Sequence, residues 1–159
     1  MGSGKTAMGR ILANHLGLDF IDLDAYIENK YKLTIARIFE QKGETEFREI
    51  ERKCLHEVGE FENIVIGTGG GTPCFFDNIE FMNRNGDTIY LRLTAEHLAA
   101  RLSTTKAGVR PILQNKSEDE LLQFIKDNLK HREFYYLQAK HIIEGNDKEI
   151  ENRLIQFNS

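Results

Sequence analysis

Gly2-Ser3-Gly4-Lys5-Thr6 stands at the head of the chain, and its reading decides the fold. It has the form of the back half of a phosphate-binding loop, G-x-x-x-x-G-K-[S/T]. In such a loop the glycines let the backbone curl until several N–H groups converge on phosphate oxygens. The lysine reaches the outer phosphates as a point charge, and the hydroxyl can ligate Mg2+. Lys5 is thus the candidate cation at the reacting phosphate and Thr6 a candidate metal ligand. A helix follows with its positive end toward the anion. Met8, Ile11, Leu12, His15 and Leu16 recur at helical spacing, and Gly17 is a natural stop. The first glycine of the pattern, and the buried strand that feeds such loops, would fall before residue 1. The expectation is therefore a shortened or mis-started chain, or else an incomplete loop. The bland alternative is a flexible glycine-serine leader, although such leaders seldom end in Gly-Lys-Thr and run into an amphipathic helix.

Composition narrows the field. A chain of 159 residues fits one domain with a real core. With 40% hydrophobic and 29% charged residues, it reads as an ordinary globular chain rather than a disordered or membrane one. A net charge of −4 offers no broad basic surface, which argues against a nucleic-acid partner. Cys54 and Cys74 make neither a disulfide framework nor a zinc spacing, and the five histidines show no metal-ligand pattern. No run approaches the roughly 20 apolar residues of a membrane span, and residue 1 onward lacks the form of a signal peptide. The default is a cytoplasmic protein.

Working outward, helices alternate with short strands. Asp19-Phe20-Ile21-Asp22 reads as a strand ending in acids, and 23–31 as a helix. Thr34 is an N-cap for a helix over 35–42, stopped by Gly43. A strongly amphipathic helix runs from Thr45 to about Glu60. Ile64-Val65-Ile66 is the continuous apolar run of a strand covered on both faces, and it empties into Gly67-Thr68-Gly69-Gly70-Gly71. Asp77 is expected to cap a helix through Asn83, and 88–93 is a third strand. Thr94 caps a helix through Leu102, and residues 103–116 are polar and irregular. Ser117 with Glu120 forms a capping box. Helical pattern continues through 139, His141-Ile142-Ile143 is a fourth strand, and 148–157 is a closing helix. Strands joined by helices predict a parallel sheet covered on both sides, with ligands beyond its C-terminal strand ends.

Several side chains carry candidate chemistry at those ends. Asp22 and Asp24 can project into the crevice, one to help hold Mg2+, the other to bind or deprotonate a hydroxyl. Taken alone they read rather as acids dressing a helix start, and it is Gly4-Lys5-Thr6 upstream that turns the reading toward the crevice. Arg48 and Glu51 share a helix face and can form a fixed fork for a carboxylate, or a plain surface ion pair. Gly69, Gly70 and Gly71 permit close backbone approach to a ligand. Arg101 and Arg110 flank the polar stretch, where Arg110-Pro111 reads by itself as an ordinary surface loop and is otherwise a candidate lid over a nucleotide. Arg132 is a second candidate anion clamp or a solvated helix charge.

Together these features resemble the shikimate kinase family over nearly the whole chain. The resemblance is carried by Gly2-Ser3-Gly4-Lys5-Thr6, Phe20-Ile21-Asp22-Leu23-Asp24, Phe47-Arg48-Glu49-Ile50-Glu51, Thr68-Gly69-Gly70-Gly71, Arg110-Pro111-Ile112-Leu113, and Arg132 three before Tyr135. It implies a three-layer α/β/α P-loop kinase fold, a single domain over 1–159. The sheet would be parallel and five-stranded with its first strand missing from this chain, the substrate-binding helical region about 23–60 and the lid about 103–116. It implies phosphorylation of the 3-hydroxyl of shikimate by ATP with Mg2+, by a monomer acting on small molecules, with no nucleic acid or membrane partner. By position, Gly2 to Ala7 would cradle ATP, and Arg101 and Arg110 would contact it, Arg110 from the lid. Thr6 and Asp22 would serve the metal, and Asp24 would be the candidate base. Arg48 and Arg132 would clamp the substrate carboxylate, with Glu51 orienting Arg48 and Gly69 to Gly71 offering backbone. Phe134 stands where the family often has proline. A gluconate-kinase-like enzyme and a truncated, non-catalytic nucleotide-binding module are the alternatives.

Overall fold

The computed structural model describes residues 5–104 and 117–158. Helix α1 (Lys5–Leu16) buries Met8, Leu12 and Ala13 and ends at Gly17, whose φ of 70° lies in the left-handed region. Strand β1 (Asp19–Asp22) runs straight into α2 (Leu23–Tyr31). Asp22 caps that helix, its Oδ1 accepting from the Ala25 N–H at 3.1 Å. Thr34 caps α3 (Ile35–Val58) in the same way, through the Arg37 N–H. The two helices expected on either side of Gly43 form one element kinked at that residue. Its φ of 82° and ψ of 170° are open to glycine and not to other residues.

Strand β2 (Ile64–Gly67) leads through the glycine run to a short 3-10 turn (Thr72–Cys74) and α4 (Asn78–Asn85). The expected Asp77 cap does not form. Its backbone is not extended and its carboxylate pairs instead with Arg52 Nη2 at 3.1 Å. Strand β3 (Ile89–Arg92) is followed by α5 (Ala95–Thr104), capped by Thr94. The predicted helical stretches after residue 117 are one helix, α6 (Glu118–Tyr136), and only half of its expected box is present: Ser117 Oγ accepts from the Glu120 N–H. Strand β4 (His141–Glu144) and α7 (Asp147–Ile155) complete the order; the helix opens on a full reciprocal box between Asn146 and Glu149, an Asn-x-x-Glu pattern legible in the sequence that sets its start at 147 rather than the expected 148.

Helices cover both faces of the strands, an α/β/α arrangement. Among the described residues the strands form two parallel pairs rather than one five-stranded sheet. Residues 19–22 of β1 face 64–67 of β2, and 89–92 of β3 face 141–144 of β4. Among the described residues neither β2 nor β3 has a partner on its other side. Between them lies a cavity of about 900 Å3, with Val65 and Ile66 on one wall, Ile89 and Leu91 on the other, and Met8 and Leu12 of α1 lining it too. The core is split accordingly. One cluster centres on Leu23, Ile27, Phe47 and Leu55, the other on Leu12, Leu98, Ile125 and Ile150. Helix α1 joins the halves, packing on β1 and β2 and against α7. No described helix is long and apolar enough to cross a membrane.

Candidate active site

The parallel register brings Asp22 beside Gly67, so β1 and β2 end at the same level. The segments leaving the two strands therefore meet at one place, as expected for the carboxyl edge of a parallel sheet. Thr6, in the first turn of α1, donates its hydroxyl to Asp22 Oδ2 at 2.9 Å. The two residues expected to serve a metal thus touch across sixteen positions of sequence. They offer adjacent oxygen donors, the ligand chemistry of a hard divalent cation that keeps its remaining places for water and phosphate. Among the described residues no group of three or more His, Cys, Asp or Glu side chains forms a cage. Gly2, Ser3, Gly4 and Arg110 lie outside the described residues, as do the side chains of Lys5 and Arg101 and nearly all of the expected lid.

Arg48 and Glu51 are the least surface-like of the expected residues. Arg48 is 9% exposed and Glu51 1%. Arg48 Nη1 donates to Glu51 Oε1 at 3.0 Å, and its guanidinium stacks over the Phe75 ring at 4.1 Å. Its buried Nε makes no hydrogen bond among the described residues, although Glu44 Oε1 stands 3.6 Å away. A buried guanidinium with an unspent donor is suited to an anion supplied by a ligand. Glu51 Oε2 accepts from Thr72 Oγ1 at 2.8 Å, and the Thr72 carbonyl accepts from Asn78 Nδ2, so the fork is braced through the turn after the glycines. Burial pushes the Glu51 carboxyl up from its ordinary value of 4.5, against the pull of Arg48 and Thr72.

The glycine run lies against this assembly. A Cβ on Gly71 would sit 2.6 Å from Arg48 Nη1, so only glycine lets the guanidinium lie so close to this backbone. A Cβ on Gly69 would be 3.5 Å from Asp24 Oδ1 and 3.6 Å from Glu51 Oε2, which locates Asp24 at the same loop. Arg132 on α6 lines the wall shared with Gly69, Gly70 and Tyr136. Burial raises the Cys74 thiol, while Arg132 and Arg48 both pull it down. The two arginines therefore act on one point beside the glycines from different helices.

A family model for shikimate kinase matches residues 1–157. The chain belongs to the shikimate kinase family. The shikimate kinase of Parabacteroides distasonis is 48% identical over 164 residues, covering 99% of this chain and 94% of its own. That of Bacteroides thetaiotaomicron is 50% identical over 153 residues, covering 96% and 86%. The crystal structure of the shikimate kinase from Bacteroides thetaiotaomicron superposes with a TM-score of 0.91 at 47% identity, over 98% of this chain and 90% of that one. The shikimate kinase from Acinetobacter baumannii in complex with shikimate gives 0.88 at 36% identity, over 98% and 85%.

Thr72, Phe75 and Tyr136 also meet at these residues, although no sequence motif singles them out. Thr72 is fully buried and braces Glu51, Phe75 is the platform for Arg48, and Tyr136 holds the Gly70 carbonyl. Tyr136 stands four residues after Arg132, on the same helix face, which is the one signal the sequence offers for it. Phe134, in place of the family's frequent proline, is 70% exposed and packs edge-on against Tyr135.

Proposed function

We infer that the chain transfers the γ-phosphoryl group of ATP to the 3-hydroxyl of shikimate, giving shikimate 3-phosphate and ADP. The observation that carries the reading is the meeting of Asp24, Arg48 and the triple glycine at the strand ends that also bring Thr6 to Asp22, in a chain of this family. Phosphoryl transfer needs positioning and positive charge more than covalent catalysis. A small hydroxylated acid needs cations for its carboxylate and acceptors for its hydroxyls, and this set supplies both.

In the assignment we propose, Gly2 to Ala7 cradle the phosphates, with Lys5 on the transferring group. Thr6 and Asp22 hold Mg2+, which when bound offsets charge on the phosphates. Arg48, oriented by Glu51, and Arg132 hold the shikimate carboxylate, and Gly69 to Gly71 present backbone. Asp24 accepts the hydrogen bond of the 3-hydroxyl and is placed to take its proton. A P–O bond forms to the 3-oxygen as the bond to the ADP oxygen breaks. Arg110 from a lid over about 103–116, and Arg101, contact ATP. Residues 1–159 act in this assignment as one domain, with the substrate region over about 23–60, in a cytoplasmic monomer. We also propose that the space between β2 and β3 fits one more extended strand, which would join the two pairs into a five-stranded sheet. The apolar walls and the two facing strand edges support it.

Phosphorus NMR of the protein with Mg2+, ATP and shikimate tests the reaction. A phosphomonoester resonance growing in step with ADP is expected. Phosphate alone, with shikimate unchanged, would overturn the reading.

A further inference from the structure

The three carbonyls of the glycine run each have a partner. Gly69 O accepts from the Thr72 N–H at 3.1 Å and Gly71 O from the Cys74 N–H at 3.0 Å, both within the loop. Gly70 O takes only a weak contact from the loop, the Cys74 thiol at 3.9 Å, and its strong bond comes from elsewhere, from the hydroxyl of Tyr136 at the end of α6, 66 residues away. That hydroxyl does not hang on the loop alone. The Tyr136 ring packs on Tyr90 of β3 with centroids 4.9 Å apart. Tyr90 in turn donates to Glu133 Oε2 at 3.1 Å, and Glu133 pairs with Arg92 at 3.0 Å. Ring packing on Tyr90 holds the Tyr136 phenol against β3, and Arg132, one turn earlier on α6, bonds the same hydroxyl.

Three glycines have no side chains to set their own conformation, so hydrogen bonds must do it. In a trans peptide the C=O and the next N–H point opposite ways. With the Gly70 carbonyl turned to α6, the Gly71 N–H is turned away from it. Gly71 is also the residue that lies on the Arg48 guanidinium.

We propose that Tyr136 is a positioning residue for the phosphoryl acceptor. Its hydroxyl sets the Gly70–Gly71 peptide so that the N–H faces the substrate, and ties the loop that carries the backbone donors to the helix that carries Arg132. This rests on the shikimate kinase reading above and adds a residue to it.

The test is steady-state kinetics of Tyr136→Phe beside wild type and Tyr90→Phe. Tyr90→Phe removes a hydroxyl from the same aromatic pair, but one that goes to Glu133 and not to the loop. In Tyr136→Phe the shikimate KM rises about fivefold, the size of one net hydrogen bond, and the ATP KM stays unchanged. In Tyr90→Phe both constants stay at wild-type values. An unchanged shikimate KM in Tyr136→Phe, an equal rise in both constants, or an equal effect of Tyr90→Phe overturns the proposal. If Tyr136→Phe does not fold, wild-type protein labelled with 13Cζ-tyrosine decides. Shikimate then shifts the Tyr136 resonance, and a resonance that stays in place overturns the assignment. Wild type that ignores shikimate overturns the functional reading itself, so the two failures are distinguished.

Discussion

Replacing Arg48 by Met leaves an apolar side chain beside Phe75 and removes the guanidinium that stacks on its ring. The lost bond to Glu51 leaves a carboxylate that is 1% exposed without its cation. Breaking a buried pair from one side costs about 3–5 kcal/mol. Glu51 keeps its bond from Thr72 and burial already favours its protonated form, so the lower end, ~3 kcal/mol, applies at neutral pH. For a chain of this length that is a fall in melting temperature of roughly 6–12 °C. Arg48→Met/Glu51→Gln removes both charges and leaves an acceptor for Thr72, and such replacements are often close to neutral. It should melt within about 3 °C of wild type, under ~1 kcal/mol. Shikimate binding separates from stability in this pair. Both variants lose a charge-assisted contact of about 1.5–3 kcal/mol, so the shikimate KM rises roughly 10- to 150-fold in each while the ATP KM holds. Thermal melts and coupled kinetics on the two proteins read both effects. A stable double variant with an unchanged shikimate KM would refute the carboxylate clamp.

Gly71→Ala puts a methyl group 2.6 Å from Arg48 Nη1, so the guanidinium must move; shikimate KM should rise about tenfold or more with little change for ATP, as read by the same kinetics. Asp22→Asn should raise the Mg2+ concentration needed for half-maximal rate several-fold, since Thr6 loses a charged neighbour at 2.9 Å; a metal titration of activity checks it. Glu51 has a folded-state pKa raised by burial above 4.5, so the folded protein holds this proton more tightly than the unfolded one. Its contribution to stability is therefore fully present below pH 4.5 and is lost as pH rises through the folded value. Melting curves of wild type minus Glu51→Gln should show that difference shrinking as pH increases above 4.5, and a difference that grows would contradict the burial argument.

Much of the fold was legible because its boundaries are written in caps. Thr34 and Thr94 bond the N–H groups they were expected to bond, and Gly17 and Gly43 take positive-φ backbone that only their residue type makes easy. Asp77 failed because a cap needs an extended backbone, and Arg52 offered its carboxylate a charge instead. The alternation of strands and helices announced parallel pairing but not which strands are neighbours, which only the folded chain shows. At the site, the spacing of Arg48 and Glu51 announced a contact but not its depth. The depth was available in the pattern: Glu51 lies on the stripe of Phe47, Ile50, Cys54 and Val58, where a lone acid would be costly to bury without a partner. Thr72 and Tyr136 are different. Each acts through one hydroxyl on a group far away in sequence, and only the folded chain brings those partners together.

The central claim is that this chain phosphorylates shikimate, and coupled release of ADP from Mg·ATP tests it most directly, with gluconate and no acceptor run alongside. ADP release that depends on shikimate and saturates with it is expected, with gluconate at the background rate. Release that is the same with and without shikimate, or that follows gluconate instead, would contradict it.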